Sequence, residues 1–222
     1  MIEEDIHRIC RRYNIEDYTI NVDMSIDVDN NVTFLHNEDL IELPLNFNRV
    51  ERNFDCSNNK LKSLKGSPIY VGGSFNCTHN KLISLIGCPK IVKESFFCGH
   101  NKLKSLKYCP DRLNKSFECH NNNLKSLKYG PSYVYHTFDV EHNDIKTFEG
   151  LPKSNNIFLL GNPINELWDL FRNKDYIDYF NELDIIQDDG ELVILERLNY
   201  FLQDIGINEE IDTLEEYFVN RD

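Results

Sequence analysis

The stretch FNCTHNKLISLIGCP, residues 75–89, decides the fold because variants of it return along the chain at a fixed interval. Near-copies follow as FFCGHNKLKSLKYCP (96–110) and FECHNNNLKSLKYGP (117–131). Phenylalanines mark the period, each 21 residues after the one before: Phe54, Phe75, Phe96, Phe117 and Phe138. An internal period of this length is the signature of a repeat architecture, so the fold has to be derived from the repeat.

Other residue types keep the same period. The cysteine column, which ends in a valine, contains Cys56, Cys77, Cys98, Cys119 and Val140. The asparagine column contains Asn59, Asn80, Asn101, Asn122 and Asn143. Leucine or isoleucine follows two residues later, proline closes each unit, and Val71, Val92, Leu113 and Val134 open the next one. Weaker copies at 32–43, which include Asn37, and at 157–167 bring the total to about seven turns.

Each unit predicts one short strand followed by an irregular return. SFNCTHN alternates apolar and polar residues as a strand does, whereas KLISLIGCP has no helical period and ends at Gly and Pro. One unit cannot bury its own apolar side, but stacked units can, with like residues lying on one another along a parallel sheet. The asparagine amide carries both donors and acceptors, so it can satisfy backbone groups where the chain turns inward.

This L-x-x-L-rich unit, with an Asn after the strand, resembles the leucine-rich repeat family in its short bacterial form, over residues 32–167. It departs from the family in having Phe where the first strand Leu is usual. The resemblance implies an α/β leucine-rich repeat solenoid with one parallel β-sheet. The layout is also similar to small repeat proteins of bacteriophages, which implies a protein that binds a host defence protein.

Amphipathic segments flank the repeats and are predicted to cap the solenoid. Residues 1–31 contain a helix-length stretch with Ile2, Ile6, Ile9 and Cys10 on one side, and then an alternating strand at 18–28. Residues 168–222 change to a helical period that extends to the segment EEIDTLEEYFVN at 209–220. The expected domains are therefore an N-terminal helix-plus-strand cap (1–31), the repeats (32–167) and a C-terminal α-helical cap (168–222).

Charge and the N-terminal residues indicate the compartment. The formal net charge is −13, which taken alone argues against nucleic acid or an anionic membrane as partner. The chain shows neither the regions of a signal peptide nor a run of eighteen apolar residues. We expect a cytoplasmic protein without a membrane partner, in the host cytoplasm if a phage encodes it. Seven cysteines in a reducing compartment are expected to be free thiols.

The recurring cysteines and histidines raise the question of chemistry. With turns about 4.8 Å apart, Cys56 and Cys119 would be roughly 14 Å apart, whereas zinc holds each thiolate at about 2.3 Å. His79 and His100 are close enough to share a soft metal, but no carboxylate column supports them. The common catalytic motifs are missing, and no cysteine follows Cys119, unlike in bacterial leucine-rich repeat ubiquitin ligases. We therefore expect no metal, no cofactor and no enzymatic activity.

In the leucine-rich repeat fold, the outward side chains of the strands line the concave face, which is the usual binding surface of solenoids. The sequence therefore predicts a non-enzymatic protein-interaction module whose partner is a protein of unspecified identity. The predicted partner-binding residues are Asp55, Ser57, Asn76, Thr78, Phe97, Glu118, His120, Asp139 and Glu141. Phe97, beside Gly99, is the candidate hot-spot anchor.

An alternative function follows from where the charge lies. Residues 54–137 hold 13 Lys and Arg against 4 Asp and Glu, so this segment carries 13 − 4 = +9. The lysines form columns in the segment after the strand and are predicted to form stripes on one flank of the stack. Lysine also suits any solvated position, but the alternative is binding of nucleic acid or another polyanion. The candidate residues are Lys60, Lys62, Lys81, Lys102, Lys104 and Lys125.

Overall fold

The computed structural model describes residues 2–34, 40–187, 190–214 and 218–220. Asn37, a predicted member of the asparagine column, lies outside the described residues. In chain order the strands are β1 (Tyr18–Ile20), β2 (Ile26–Val28), β3 (Val32–Thr33), β4 (Phe47–Val50), β5 (Phe54–Asp55), β6 (Tyr70–Val71), β7 (Phe75–Asn76), β8 (Ile91–Val92), β9 (Phe96–Phe97), β10 (Arg112–Leu113), β11 (Phe117–Glu118), β12 (Tyr133–Asp139), β13 (Lys153–Phe158), β14 (Ile186–Gln187), β15 (Leu192–Ile194) and β16 (Phe218–Asn220). The helices are α1 (Glu3–Arg12), α2 (Ile164–Phe171), α3 (Ile177–Glu182) and α4 (Leu195–Asp204), with a 3-10 turn at Lys174–Tyr176.

Parallel pairing between strands of successive repeats confirms the predicted solenoid. The phenylalanine strands pair in the order β3-β5-β7-β9-β11-β12-β13. Their register places each phenylalanine opposite the next, as in Phe54 with Phe75 and Phe117 with Phe138. Seven strands in this line enclose about six turns, one fewer than the repeat count predicts.

A second line of short strands differs from the single sheet that the sequence predicts. Strands β2, β4, β6 and β8 pair in that order beside β1, and the start of β12 pairs with β10. These strands contain the residues that open each unit, a leucine in β10 and valines in the others. Valine is β-branched and favours extended backbone, which explains why short strands form at these positions. Each turn therefore has a valine strand and a phenylalanine strand. In β12 the two merge into one strand of seven residues.

Stacked phenylalanines form the centre of the core. The five rings from Phe54 to Phe138 are fully buried. Neighbouring centroids lie 5.3 to 5.8 Å apart, with the ring planes within 22° of parallel. Burying a phenylalanine side chain contributes about 1.5–3 kcal/mol, so the stack is a main source of stability.

The cysteine column lies beside this stack and is part of the core. Cys56, Cys77, Cys98 and Cys119 are fully buried, and all seven cysteines are free thiols. Burial raises the pKa of the Cys77 and Cys98 thiols well above the ordinary value. These thiols therefore stay neutral and act as small apolar side chains.

The asparagine column connects each turn to the turn before it. In the Asn101 side chain, Nδ2 donates to the carbonyls of Cys77, Cys98 and Gly99 at 3.0, 3.1 and 3.2 Å. Its Oδ1 accepts from the backbone N–H of Leu82 at 3.0 Å. The equivalent bonds recur at Asn80, Asn122 and Asn143, as the repeat predicts.

The two ends of the stack are covered by different structures. At the N-terminus, α1 buries Ile6 and Cys10. The segment at 18–28 is a hairpin and not the single strand that its alternation predicts: β1 and β2 pair antiparallel, and Met24 in the turn has φ of 64°. Strand β2 then pairs with β4 and joins the solenoid.

At the C-terminus an aromatic cluster joins the last turn to the helices. Phe148 contacts Phe180 of α3 edge-on, at 5.2 Å between centroids, and Phe171 of α2 contacts Phe201 of α4 at the same distance. A three-stranded sheet, β14-β15-β16, accompanies these helices. The predicted helix at 209–220 is wrong in the described part of this segment: residues 209–214 are not helical, and Phe218–Asn220 form β16, which pairs parallel with β15. Within the described ranges, no helix is both long and apolar enough to cross a membrane.

The asparagine column predicts a specific loss of stability. We expect Asn101→Ala to lower the free energy of unfolding by about 1–3 kcal/mol, because it leaves a buried N–H and several carbonyls without partners. Equilibrium unfolding in urea measures this loss. Asn114→Ala, at an exposed asparagine in the adjacent repeat, is the matched control and is expected to change stability by less than about 0.5 kcal/mol. Equal effects of the two substitutions would contradict the proposed role of the column.

Candidate binding surfaces

The side chains next to the buried phenylalanines form one continuous row across five turns. Asp55, Asn76, Phe97, Glu118 and Asp139 follow one another in register and are half-buried. The row lies on the solvent side of the phenylalanine strands, where the sequence predicts the partner-binding face.

The predicted binding residues two positions after this row differ from one another in exposure. Thr78, His120 and Glu141 are half-buried and available at the surface. Ser57 is only 6% exposed, so the sequence prediction that it faces a partner is wrong. Its hydroxyl is engaged within the turn, since the Ser57 Oγ accepts from the Asn58 Nδ2 at 3.2 Å.

Three of the predicted residues are already engaged within their own turns. The Asp55 Oδ1 accepts from the Ser57 N–H at 2.8 Å, and the Asp139 Oδ1 accepts from the Glu141 N–H at 3.0 Å. The Asn76 Oδ1 accepts from both the N–H and the hydroxyl of Thr78, at 3.1 and 2.8 Å. These bonds satisfy backbone donors just after each strand, so the three side chains have a structural role and are held in fixed positions.

Phe97 lies in the middle of the row beside a packed polar group. The His120 ring lies over Gly99: a Cβ at that glycine would come 2.9 Å from the ring Nε2. On its other side, the His120 Nδ1 lies 3.1 Å from the Asp139 Oδ2. Partial burial, and then the charge of Asp139, raises the pKa of Glu118. This arrangement offers an aromatic surface, a fixed imidazole and a carboxyl group that gains a proton readily.

The histidines beside this row stack on one another. The rings of His79 and His100 lie 4.1 Å apart and 11° from parallel, and His100 meets His120 edge-on at 5.0 Å. Burial, and then the two neighbouring imidazoles, lowers the pKa of His100. Stacked rings direct their in-plane nitrogen lone pairs side by side, so His79 and His100 do not converge on an ion between them. Among the described residues no group of three or more His, Cys, Asp or Glu side chains is arranged to hold a metal.

The predicted lysine flank is an exposed surface after the strands. All six candidate lysines are exposed. Lys102, Lys104 and Lys125 line an open depression of about 590 Å³ together with Ile83 and Asn123. In the part of the chain that the structure describes, Lys62, Lys81, Lys102 and Lys104 have no ion-pair partner, and Lys125 has only a distant one, Asp144 at 3.9 Å. Their charge is therefore available to a ligand.

Two tyrosines next to the lysine flank occupy an unfavourable backbone conformation. Tyr108 and Tyr129 have φ of 81° and 66°, at the position where the other central turns have Gly66, Gly87 and Gly150. This backbone conformation is less favourable by roughly 1–2 kcal/mol for a residue with a Cβ than for glycine. Burial of the rings offsets little of that energy, because the two side chains are 53% and 62% exposed. Backbone strain at an exposed aromatic residue supports the hypothesis that the residue has a function.

Two cysteines outside the cysteine column, Cys88 and Cys109, support the backbone of these tyrosines. The Cys88 Sγ donates to the Tyr108 carbonyl at 2.9 Å, and the Cys109 Sγ donates to the Tyr129 carbonyl at 3.4 Å. Burial raises the pKa of Cys88 to about 12, so its thiol keeps the proton that it donates. Cys88 and Cys109 thus hold backbone of the neighbouring turn.

A further surface, on the valine strands, was missed by the sequence analysis. The residue before each buried valine or leucine forms a series that is exposed at Arg49, Ile91 and Arg112 and half-buried at Tyr70 and Tyr133. The Arg49 and Arg112 guanidinium carbons lie 4.2 and 4.7 Å from the ring centroids of Tyr70 and Tyr133, and Ile91 between these pairs is 48% exposed. The signal was present in the sequence, because the valine column implies that its preceding residues face outward together.

The raised pKa of Glu118 predicts a pH-dependent effect on stability. The folded state favours the protonated carboxyl, so the stability that Glu118 contributes is present below its ordinary pKa of 4.5 and is lost as the pH rises from there through the raised pKa of the folded state. We expect Glu118→Gln to raise the free energy of unfolding by about 0.5 kcal/mol at pH 7. This gain in stability should disappear below about pH 4, where the wild-type carboxyl is also neutral. Urea unfolding at both pH values tests this, with Glu16→Gln, at an exposed carboxylate, as the control. A gain that persists at low pH would show that burial of the charge is not its cause.

Comparison with protein-family models, curated proteins and solved structures gave no match. The functional argument therefore depends on the surfaces of the chain itself.

Proposed function

We propose that the chain is a non-enzymatic protein-interaction module that binds its partner through the exposed face of the phenylalanine strands, with Phe97 at the centre. The observation that carries the proposal is the position of Phe97. Its ring is half-buried in a row of polar side chains, between Asn76 and Glu118. An aromatic anchor within a polar surround is the common composition of a binding hot spot.

Preorganisation supports this role. Asp55, Asn76 and Asp139 are fixed by bonds to their own turns, and His120 is held between Gly99 and Asp139. Side chains that are already ordered lose little conformational entropy when a partner binds. A rigid row of this kind suits an extended protein surface.

The series on the valine strands would enlarge the same interface. Tyrosine and arginine are the residue types enriched at the centre of protein interfaces. Tyr70, Arg112 and Tyr133 sit in the adjoining strand of the same turns, and Ile91 adds exposed apolar area. Together the two strand faces provide aromatic, cationic and carboxylate groups for a protein partner.

The chemistry of the row favours binding over catalysis. Glu118, His120 and Asp139 include a proton acceptor and its orienting carboxylate, but no nucleophile belongs to this group. The thiol of the same turn, Cys119, is fully buried in the core. A His–carboxylate pair without a nucleophile or metal beside it is more simply explained as a fixed recognition group.

The resemblance to leucine-rich repeat proteins supports a protein ligand as well. We extend the proposal to a bacteriophage leucine-rich repeat protein that acts in the host cytoplasm on a host protein of a defence pathway. This part depends on the resemblance alone, which rests on the 21-residue period and the asparagine column.

Phe97→Ala tests the proposal. We expect it to fold normally, because the ring contributes little to the buried core, and to weaken partner binding by about 2 kcal/mol, or roughly 30-fold. The wild type and the variant would be immobilised and used to capture proteins from a bacterial lysate, and the affinity of the captured protein would then be measured by calorimetry.

Tyr200→Ala removes a surface ring, 57% exposed, from α4 and is the control, expected to bind as the wild type does. Unchanged affinity in a folded Phe97→Ala protein would show that the phenylalanine-strand face is not the binding surface. Equal losses in both variants would also contradict it.

A further inference from the structure

The outer edge of two neighbouring turns carries the same six residues. Residues 103–108 and 124–129 both have the sequence LKSLKY, whereas residues 61–66 have LKSLKG. In both copies the leucines are buried and the residues between them face solvent. We call the exposed set Lys104, Lys107, Tyr108, Lys125, Lys128 and Tyr129 the lysine–tyrosine edge.

Local bonds present these side chains outward in the same way in both turns. The Ser105 Oγ accepts from the Lys107 N–H at 3.1 Å, and the Ser126 Oγ accepts from the Lys128 N–H at 3.0 Å. Each tyrosine ring then has a lysine beside it. The Lys107 Nζ is 5.3 Å from the Tyr108 centroid, and the Lys128 Nζ is 5.9 Å from the Tyr129 centroid.

Positive formal charge is concentrated in the segment that contains these rings. The segment 54–137 carries +9, while the remaining residues carry 11 − 33 = −22. In the described part of the chain, Lys104 and Lys107 have no ion-pair partner, and Lys128 has only an exposed contact with Glu149 at 3.6 Å. A polyanion that approaches these two turns therefore meets two pairs of lysines, Lys104 with Lys125 and Lys107 with Lys128, one turn or about 4.8 Å apart.

We propose that the lysine–tyrosine edge binds single-stranded nucleic acid, with the lysines on phosphates and the Tyr108 and Tyr129 rings stacked on unpaired bases. Lysine acts on phosphate as a point charge, and aromatic side chains give sequence-tolerant stacking platforms. The rings explain the preference for single strands, because a duplex keeps the faces of its bases inside its own stack. Tyr108 and Tyr129 occupy a backbone position that suits glycine, so their side chains do not stabilise the fold there. This fits a role in binding.

The full chain would be tested by fluorescence anisotropy with a labelled oligothymidylate of about 15 nucleotides. With about four phosphate contacts, we expect the affinity to fall about 50-fold between about 50 and 200 mM salt. A duplex of the same length is expected to bind more weakly. No binding at the lower salt concentration, or equal binding of the duplex, would overturn the proposal.

The role of the tyrosines is tested by replacing them with glycine, the residue that another repeat has at this position. Tyr108→Gly with Tyr129→Gly converts both segments to the LKSLKG of residues 61–66, so the fold should be retained and the urea midpoint should not fall. We expect at least tenfold weaker binding with an unchanged salt slope, because only stacking is lost. Unchanged affinity in this variant would overturn the role of the rings.

The lysines are tested by two matched pairs. Lys104→Gln with Lys125→Gln should lower the salt slope by about 1.4, or about 0.7 for each lost phosphate contact. Lys93→Gln with Lys153→Gln removes two exposed lysines from the valine-strand side and should leave the slope unchanged. Equal effects of the two pairs would indicate attraction by overall charge and overturn the site. Competition by polyglutamate as effective as that by unlabelled oligothymidylate would assign the edge to an acidic protein instead.

Discussion

The hydrogen bonds of the asparagine column are the interaction on which the rest of the structure depends. Each amide satisfies carbonyls of its own turn and one of the turn before it, and it accepts from a leucine N–H of that earlier turn. Without this connection the buried return of each turn would contain unpaired backbone groups. The column extends to the end of the solenoid: Asn162 bonds to the turn of Ile145, and α2 begins two residues later in place of another repeat.

The central turns keep one spacing because of this dependence. A change in length between two asparagines has to be absorbed in the segment between them, as in the 19-residue step from Asn143 to Asn162, because the amide must still reach the backbone N–H of the turn before it. The 21-residue period is therefore a consequence of two coupled requirements, one polar and one aromatic. Since each turn contacts only its neighbours, a deviation on the surface remains local. This is why the chain can hold Tyr108 and Tyr129 at positive φ without loss of the fold.

The periodic positions could be predicted from the sequence, and the surfaces only in part. Phe, Cys, Asn and Leu recur because each of them packs against the equivalent residue of the next turn. A residue type that returns at a fixed interval therefore implies that its copies are stacked in the structure. The valine strands were harder to predict, since two residues of extended backbone leave no alternation to detect. The hairpin at 18–28 was missed because its turn residues, such as the fully exposed Val22, continue the apolar pattern. Strand β16 was missed because its pairing with β15 depends on tertiary contact.

The same reasoning separates structural from functional residues on the strand face. Asp55, Asn76 and Asp139 were predicted to bind a partner because they face outward, yet the hydrogen bonds after each strand occupy them. Phe97 stands in the same column, and a phenyl ring cannot accept such a bond. Its turn omits that stabilising bond to the backbone and has Gly99 under the His120 ring instead. The exposed edge of an aromatic ring, and not the missing bond alone, distinguishes Phe97 from its neighbours in the row, and it is the feature on which the proposed binding role depends.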